Sequence, residues 1–277
     1  MQTLRTEVLT DEISFGEGPR WHDGRLWVAD GVADQIKAID ERGRVEVVLE
    51  THHPSGLGWL PDGTLVFSAV LTPRVMGWDG RTVDVVHDFG SAAWSTNDLV
   101  AGPDGRIYAD LYQRVDDQIT GEIGLVTPEG EGRVVAGDMW RPNGMAITAD
   151  GTTLVVSDTY GSEILAFTIG TDGSLGGRRT FAAMGGRHPD GLCLDAEGAV
   201  WVGCFDDGEF LRVLEGGEIT HRVECPGVWA AAPALGGEDR RTLFLVVNDT
   251  DDERLRRRES SGRVEQVRVE VPGVGWP

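Results

Sequence analysis

The stretch RHPDGLCLDAEGAVWVG, residues 187–203, sets one carboxylate, Asp190, beside a glycine and follows it with two apolar runs joined by Asp-Ala-Glu-Gly. Read with a strand period of two, it is a hairpin: Glu-Gly supplies the turn because glycine tolerates positive φ, and the flanks alternate. The same phrase recurs along the chain. It reads EGPRWHDGRLWVAD at 17–30, SGLGWLPDGTLVFSA at 55–69, NDLVAGPDGRIYADL at 97–111, NGMAITADGTTLVVSD at 143–158 and DGLCLDAEGAVWVGC at 190–204. A weaker sixth copy is AAPALGGEDRRTLFLVVND at 231–249. The clear copies begin at 17, 55, 97, 143 and 190, so their spacings are 38, 42, 46 and 47 residues.

A second pair of strands follows each copy, best seen in QIKAIDERGRVEVVLE (35–50) and EFLRVLEGGEITHRVE (209–224). Four strands in roughly 40–50 residues is the pattern of a propeller blade. Six copies predict an all-β, six-bladed β-propeller forming one domain over residues 1–277. The leading segment TLRTEVLTDE (3–12) is expected to supply the outer strand of the last blade and close the ring. Helical periodicity is nowhere sustained.

Composition narrows the function. The 277 residues are 40% hydrophobic, enough to fill a core, and carry 39 glycines, consistent with many turns. A net charge of −21, from 25 basic and 46 acidic residues, repels nucleic acid and anionic lipid. No run approaches the ~20 apolar residues of a membrane span. The N-terminus lacks the basic-then-apolar pattern of a secretory signal, and three cysteines without a CxxC pair suit a reduced compartment, so a cytoplasmic location is expected. A small-molecule substrate and a monomer are the expected partner and state. Asn248-Asp249-Thr250 matches a glycosylation sequon but reads as an ordinary turn.

The innermost strand of each blade borders the central channel, so the first residue of each copy falls at the same end of it. Those positions are Glu17, Ser55, Asn97, Asn143, Asp190 and Ala231. Two carboxylates and two carboxamides, without His or Cys, form a hard all-oxygen donor set that selects Ca²⁺, Mg²⁺ or Mn²⁺ over soft metals. Ca²⁺ fits best because it accepts irregular geometry.

The copies EGPRWHDGRLWVAD, RPNGMAITADGTTLVVSDT and HPDGLCLDAEGAVWVGCF resemble the metal-ligand motifs of the gluconolactonase/regucalcin family, which includes senescence marker protein and luciferin-regenerating enzyme. The resemblance spans nearly the whole chain. It implies a six-bladed propeller with one divalent cation, Ca²⁺ foremost and Mn²⁺, Mg²⁺ or Zn²⁺ as alternatives, held by Glu17, Asn143 and Asp190. It also implies metal-dependent hydrolysis, usually of a lactone, with Asp190 as general base and Asn97 near the metal on the substrate side. His188 lies two residues from Asp190 and is a further substrate-side candidate.

The chain departs from the family at two places. Members acting on sugar lactones usually carry Arg two residues before the third-blade Asn, and a Glu after that blade's second strand. Here the first position is Ser95, and the second falls near Val115, flanked by Arg114 and Asp116. Trp94, Trp140 and Trp229 instead adjoin motif positions and predict an apolar wall, hence a hydrophobic lactone or ester. The segment LYQRVDDQITGE (111–122) is expected to form a loop over the pocket entrance. His52 and His53, ahead of the second copy, are expected to be exposed, with either in reach of the channel mouth. G-x-S-x-G and H-E-x-x-H are absent. Two alternatives stay open: the same metal site used for cyclisation, dehydration or isomerisation, and a non-enzymatic, metal-stabilised binding propeller.

Overall fold

Hairpins of this kind pair into six sheets; four are runs of antiparallel strands consecutive in the chain, and two also take a strand from the N-terminal segment. The computed structural model describes residues 1–115 and 118–274, with side chains outside 114–119. The first blade runs Gly16–His22, Arg25–Asp30, Gln35–Ile39 and Val45–Glu50 from the axis outward. The other inner strands are Pro54–Trp59, Leu99–Ala101, Pro142–Ile147, Pro189–Leu194 and Trp229–Gly236. Each touches the inner strand of the next blade, and the sixth touches the first. This is the six-bladed propeller expected from the repeat.

Closure uses the leading segment, in two pieces. Glu7–Ile13 pairs antiparallel with Ser261–Arg268 as the outer strand of blade six, and Gln2–Leu4 adds to blade five, parallel to Ile219–Glu224. Asn248 of blade six ties the seam to blade one: its Oδ1 accepts from the Gly16 N–H at 2.9 Å and its Nδ2 donates to the Gly16 carbonyl at 3.0 Å. The sequon asparagine is thus a buried structural residue.

The core lies between blades. At the seam, Ile13, Leu26, Val28, Phe244 and Val246 form one cluster, and Trp21 stacks on Phe244 with ring centroids 5.4 Å apart. Each such fully buried aliphatic side chain contributes about 1.5–3 kcal/mol. Inner strands converge so tightly that some positions admit no side chain. A Cβ on Gly144 would stand 2.5 Å from the Asp190 carbonyl oxygen, and one on Gly191 2.3 Å from the Ala232 Cβ.

The expected loop at 111–122 is instead a hairpin. Strands Ile107–Val115 and Gln118–Val126 stay in register out to Val115 opposite Gln118, because the strand pattern continues on both arms. Residues 116 and 117, at its tip, lie outside the described residues. No described helix is long and apolar enough to cross a membrane.

Candidate functional site

Glu17, Ser55, Asn97, Asn143, Asp190 and Ala231, one from each blade, line a single cavity of about 820 Å³ at one end of the channel. The opposite end narrows to a space of about 40 Å³ between Arg20, Trp21, Val100 and Leu194, leaving the wide end as the route for a small molecule.

The local backbone explains the convergence. In five blades the pairing of inner strand and neighbour slips at the site residue, as between Glu17 and Arg20, Pro142 and Met145, and Pro189 and Leu192. Bulges of this kind re-aim a side chain. Carboxylates ending the second strands pin the chain just ahead of these positions. Asp30 accepts from the Ser14 and Phe15 N–H groups at 2.8 and 2.9 Å, and Asp158 from that of Trp140 at 2.9 Å. In blade three, Asp110 accepts from the Asn97 and Asp98 N–H groups at 2.5 and 2.9 Å.

A hydrogen-bonded chain crosses three site residues. Ser55 Oγ donates to Asn97 Oδ1 at 3.1 Å, and Asn97 Nδ2 donates to Asn143 Oδ1 at 3.2 Å. This orients the Asn143 amide and leaves its oxygen a second lone pair. Glu17 and Asp190 are arranged differently. Among the described residues neither carboxylate is ion-paired or hydrogen-bonded to another side chain; the Gly18 N–H is the one group bonded to Glu17. Burial pushes the Asp190 carboxyl up to about 7; Arg141 opposes the rise, and Asp98 and Asp206 add to it. Glu17 is raised well above the carboxylate range, first by burial and then by Asp190 and Asp98. Two under-compensated carboxylates and an oriented amide oxygen fit a hard divalent cation.

A second group gathers ligand atoms within 4.8 Å of one another: Asp34, His52 and His53. The Arg258 guanidinium already lies on it, with Nη1 2.8 Å from His53 Nε2 and Nη2 2.9 Å from Asp34. A fixed positive charge there opposes a dication. Of the two histidines, His53 lines the cavity and His52 is exposed.

The remaining sequence candidates stand farther off. Ser95 is buried and spent on backbone: its Oγ accepts from the Leu71 N–H at 3.0 Å and donates to the Thr96 carbonyl at 3.0 Å. Trp94 and Trp140, 48% and 59% exposed, are not among the cavity's lining residues. The aromatic wall exists, built by Phe15, Tyr160, Phe205 and Trp229. His188 sits one shell back, its Nδ1 2.8 Å from Asp206, which does line the cavity. Arg114, Val115 and Asp116 fall outside the described side chains.

Sequence reading missed Arg141. Its guanidinium enters the cavity between two tyrosine rings, 5.7 Å from the Tyr112 centroid and 5.5 Å from that of Tyr160, and its Nη1 donates to the Tyr160 hydroxyl at 3.1 Å. The signal was present: Arg141 stands two residues before Asn143, as Ser95 stands two before Asn97. Also missed was the buried pair below the site, Arg20 Nη2 to Asp98 Oδ1 at 3.3 Å.

Comparison with known proteins agrees with this architecture. The family model described as SMP-30/Gluconolactonase/LRE-like region matches residues 15–248. The chain is 33% identical to a 6-deoxy-6-sulfogluconolactonase of Pseudomonas putida, covering 100% of this chain and 98% of that one. It is 24% identical to pentonolactonase XacC of Haloferax volcanii, covering 98% and 96%. The crystal structure of a calcium-binding protein, regucalcin, from Agrobacterium tumefaciens superposes with a TM-score of 0.83 at 22% identity, over 100% of this chain and 97% of that one. The chain therefore belongs to the SMP-30/gluconolactonase/LRE-like family.

Proposed function

We propose that this protein is a divalent-cation-dependent hydrolase of a lactone. One observation carries the reading. Among the described residues no cation is paired to Glu17 or Asp190, which lie in one cavity beside an Asn143 amide oriented by Asn97. Glu17, Asn143 and Asp190 would hold the ion, with Ca²⁺ the first candidate. When bound, the cation supplies Lewis-acid polarisation of a carbonyl oxygen and offsets the negative charge developing there.

The chain's own groups supply the rest. Asp190, ionised beside the cation and keeping one carboxylate oxygen free of it, takes the proton of an attacking water. Asn97 Nδ2, turned toward the axis, keeps Asn143 in place and offers a donor on the substrate side. Phe15, Phe205 and Trp229 provide an apolar wall against one face of a ring, and Arg141 a polar one. Aromatic faces and a guanidinium together suit a sugar-type lactone better than a purely hydrophobic one. The names of the Pseudomonas putida and Haloferax volcanii relatives, both sugar lactonases, support that choice.

The test is hydrolysis of glucono-δ-lactone and pentonolactones followed in a pH-stat. Turnover is expected to vanish after EDTA treatment and return with Ca²⁺ or Mn²⁺. Asp190→Asn is expected to lower kcat/KM by about 10²–10⁴-fold with an unchanged circular dichroism spectrum. EDTA-resistant turnover overturns the cation dependence, and near-normal activity of Asp190→Asn overturns the general base.

A further inference from the structure

Two residues before each axial position stands a second tier, one residue per blade: Phe15, His53, Ser95, Arg141, His188 and Trp229. Four of the six, Phe15, His53, Arg141 and Trp229, line the cavity. Ser95 is turned onto backbone and His188 onto Asp206. Arg141 is the tier's one guanidinium. Its backbone has φ 145°, and that of His53 in the same tier φ 44°, conformations L residues adopt at a cost and that concentrate at functional sites. The Arg141 Nε is buried and has no hydrogen-bond partner, and among the described residues the side chain makes no ion pair. In a chain of net charge −21, a guanidinium held in a cavity by tyrosines, with no ion pair among the described residues, calls for an anion.

The rim agrees. Arg256, on the short helix Asp252–Arg256, lines the cavity and has no partner among the described residues. The rim acids are mostly engaged: Asp251 caps that helix and Asp206 holds His188. Among the described residues, Asp252 is the rim acid without a partner. Nearer the axis, Glu17 and Asp190 face Arg141, and their engagement by a cation leaves the guanidinium without an acidic counterpart there.

We infer that the cavity takes lactones bearing a second, anionic oxygen group (a sulfonate, phosphate or carboxylate) away from the reacting carbonyl, with Arg141 as its recognition residue and Arg256 at the approach. The guanidinium presents paired N–H donors to two oxygens of such a group, and the Tyr112 and Tyr160 rings hold its plane. This rests on the lactonase reading for the reaction but not for the binding.

Two measurements separate the inference from the reaction. In the first, kcat/KM for glucono-δ-lactone is compared with that for its 6-sulfonate, 6-phosphate and 6-carboxylate counterparts. The wild type is expected to prefer one anionic form over the neutral lactone, and the order among the three identifies the group. Arg141→Met is expected to lower the anionic-to-neutral ratio by about 30-fold or more, the scale of a lost charge-assisted hydrogen bond; Arg256→Ala should lower it by about 2- to 5-fold, with most of that loss disappearing at high salt. An Arg141→Met variant losing equal activity on charged and neutral lactones overturns the inference, as does a wild type preferring the neutral ring. In the second, calorimetric titration compares unreactive 1,5-anhydroglucitol 6-phosphate with 1,5-anhydroglucitol. Tighter, Arg141-dependent binding of the phosphate upholds the subsite even if no lactone turns over; equal binding of the two, or phosphate affinity indifferent to Arg141, overturns it.

Discussion

Replacing Gly144 by alanine tests how tightly the inner strands set the site. The added Cβ would stand 2.5 Å from the Asp190 carbonyl oxygen and 2.6 Å from both Gly191 Cα and Leu192 N, where ordinary contact begins at 3.4 Å. All three obstacles are backbone, so no rotamer change relieves them, and the strands of blades four and five must part by roughly 0.9 Å. Overpacking of that kind costs about 1–3 kcal/mol, which for a domain of this size lowers Tm by about 3–10 °C. The same separation carries Asn143 away from Asp190, and a displacement near 1 Å reduces catalysis by about 10²-fold. The assay pairs thermal melts, with and without Ca²⁺, with kcat/KM. Gly176→Ala is the control: nothing lies within 4 Å of its Cβ, and its stability should stay within about 0.5 kcal/mol of wild type. A Gly144→Ala protein with unaltered Tm, unaltered Ca²⁺-induced stabilisation and unaltered rate would refute the packing argument and its link to the site.

Three further outcomes are expected. Burial raises Glu17 and lifts Asp190 to about 7, so without a cation the folded state holds protons there that the unfolded chain releases near 4. These groups then stabilise below the unfolded value and lose that contribution as pH rises toward 7. A cation must displace the same protons, so the Ca²⁺-induced Tm increment should grow from pH 5 to pH 8 and flatten above; an increment equal at both ends sinks the pair as ligands. Trp94→Ala and Trp140→Ala, at exposed positions away from the cavity lining, should leave stability within about 0.5 kcal/mol of wild type and kcat/KM nearly unchanged; a tenfold loss in kcat/KM would return them to the site. Arg20→Met strands the buried Asp98 carboxylate and should cost about 3–5 kcal/mol in urea unfolding, with Asp98→Asn in the same chain recovering much of it; a cost below 1 kcal/mol would show the pair to be dispensable.

The architecture was legible because a propeller states its fold several times over. Each blade repeats one hairpin, and the turn chemistry and strand period agree in the five clear copies, so the weaker sixth is outvoted by the rest. The axial residues were legible for the same reason, since equal register in equal blades means equal height in the channel. What stayed hidden depends on neighbours that no single copy contains. Ser95 reads as a polar pocket residue, yet its hydroxyl is consumed by Leu71 and Thr96, which only the folded strand crossing supplies. Trp94 and Trp140 read as pocket walls because they stand three residues before Asn97 and Asn143, but both sit on bends ahead of the inner strands, exposed and off the cavity lining. The hairpin at 111–122 looked like a loop because its length exceeds a tight turn, although its strand pattern never breaks. Asp30 and Asp158, at the ends of second strands, and Asp110, within one, are held by backbone N–H groups of the neighbouring inner segment, partners that no single copy of the repeat displays.

The two tiers divide the labour of the site in a way that sequence change can exploit. The axial tier is closed by glycines such as Gly144 and Gly191, which no side chain can replace without moving the next blade. Its residues are therefore coupled, and altering one disturbs its neighbours through the Ser55–Asn97–Asn143 chain or through backbone contact. The upper tier is coupled through side chains and not through such close backbone: Phe15 meets Trp229 edge-on at 6.4 Å, and Ser95 and Arg141, at the same register position in adjacent blades, share Tyr112, whose backbone pairs with Ser95 and whose ring lies against Arg141. A guanidinium moved from one slot to the next shifts the recognised group by a sixth of a turn around the axis and leaves the carboxylates at Glu17 and Asp190 where they were. On this geometry, substrate class is set by which slot carries the cation, and reactivity by the tier beneath it.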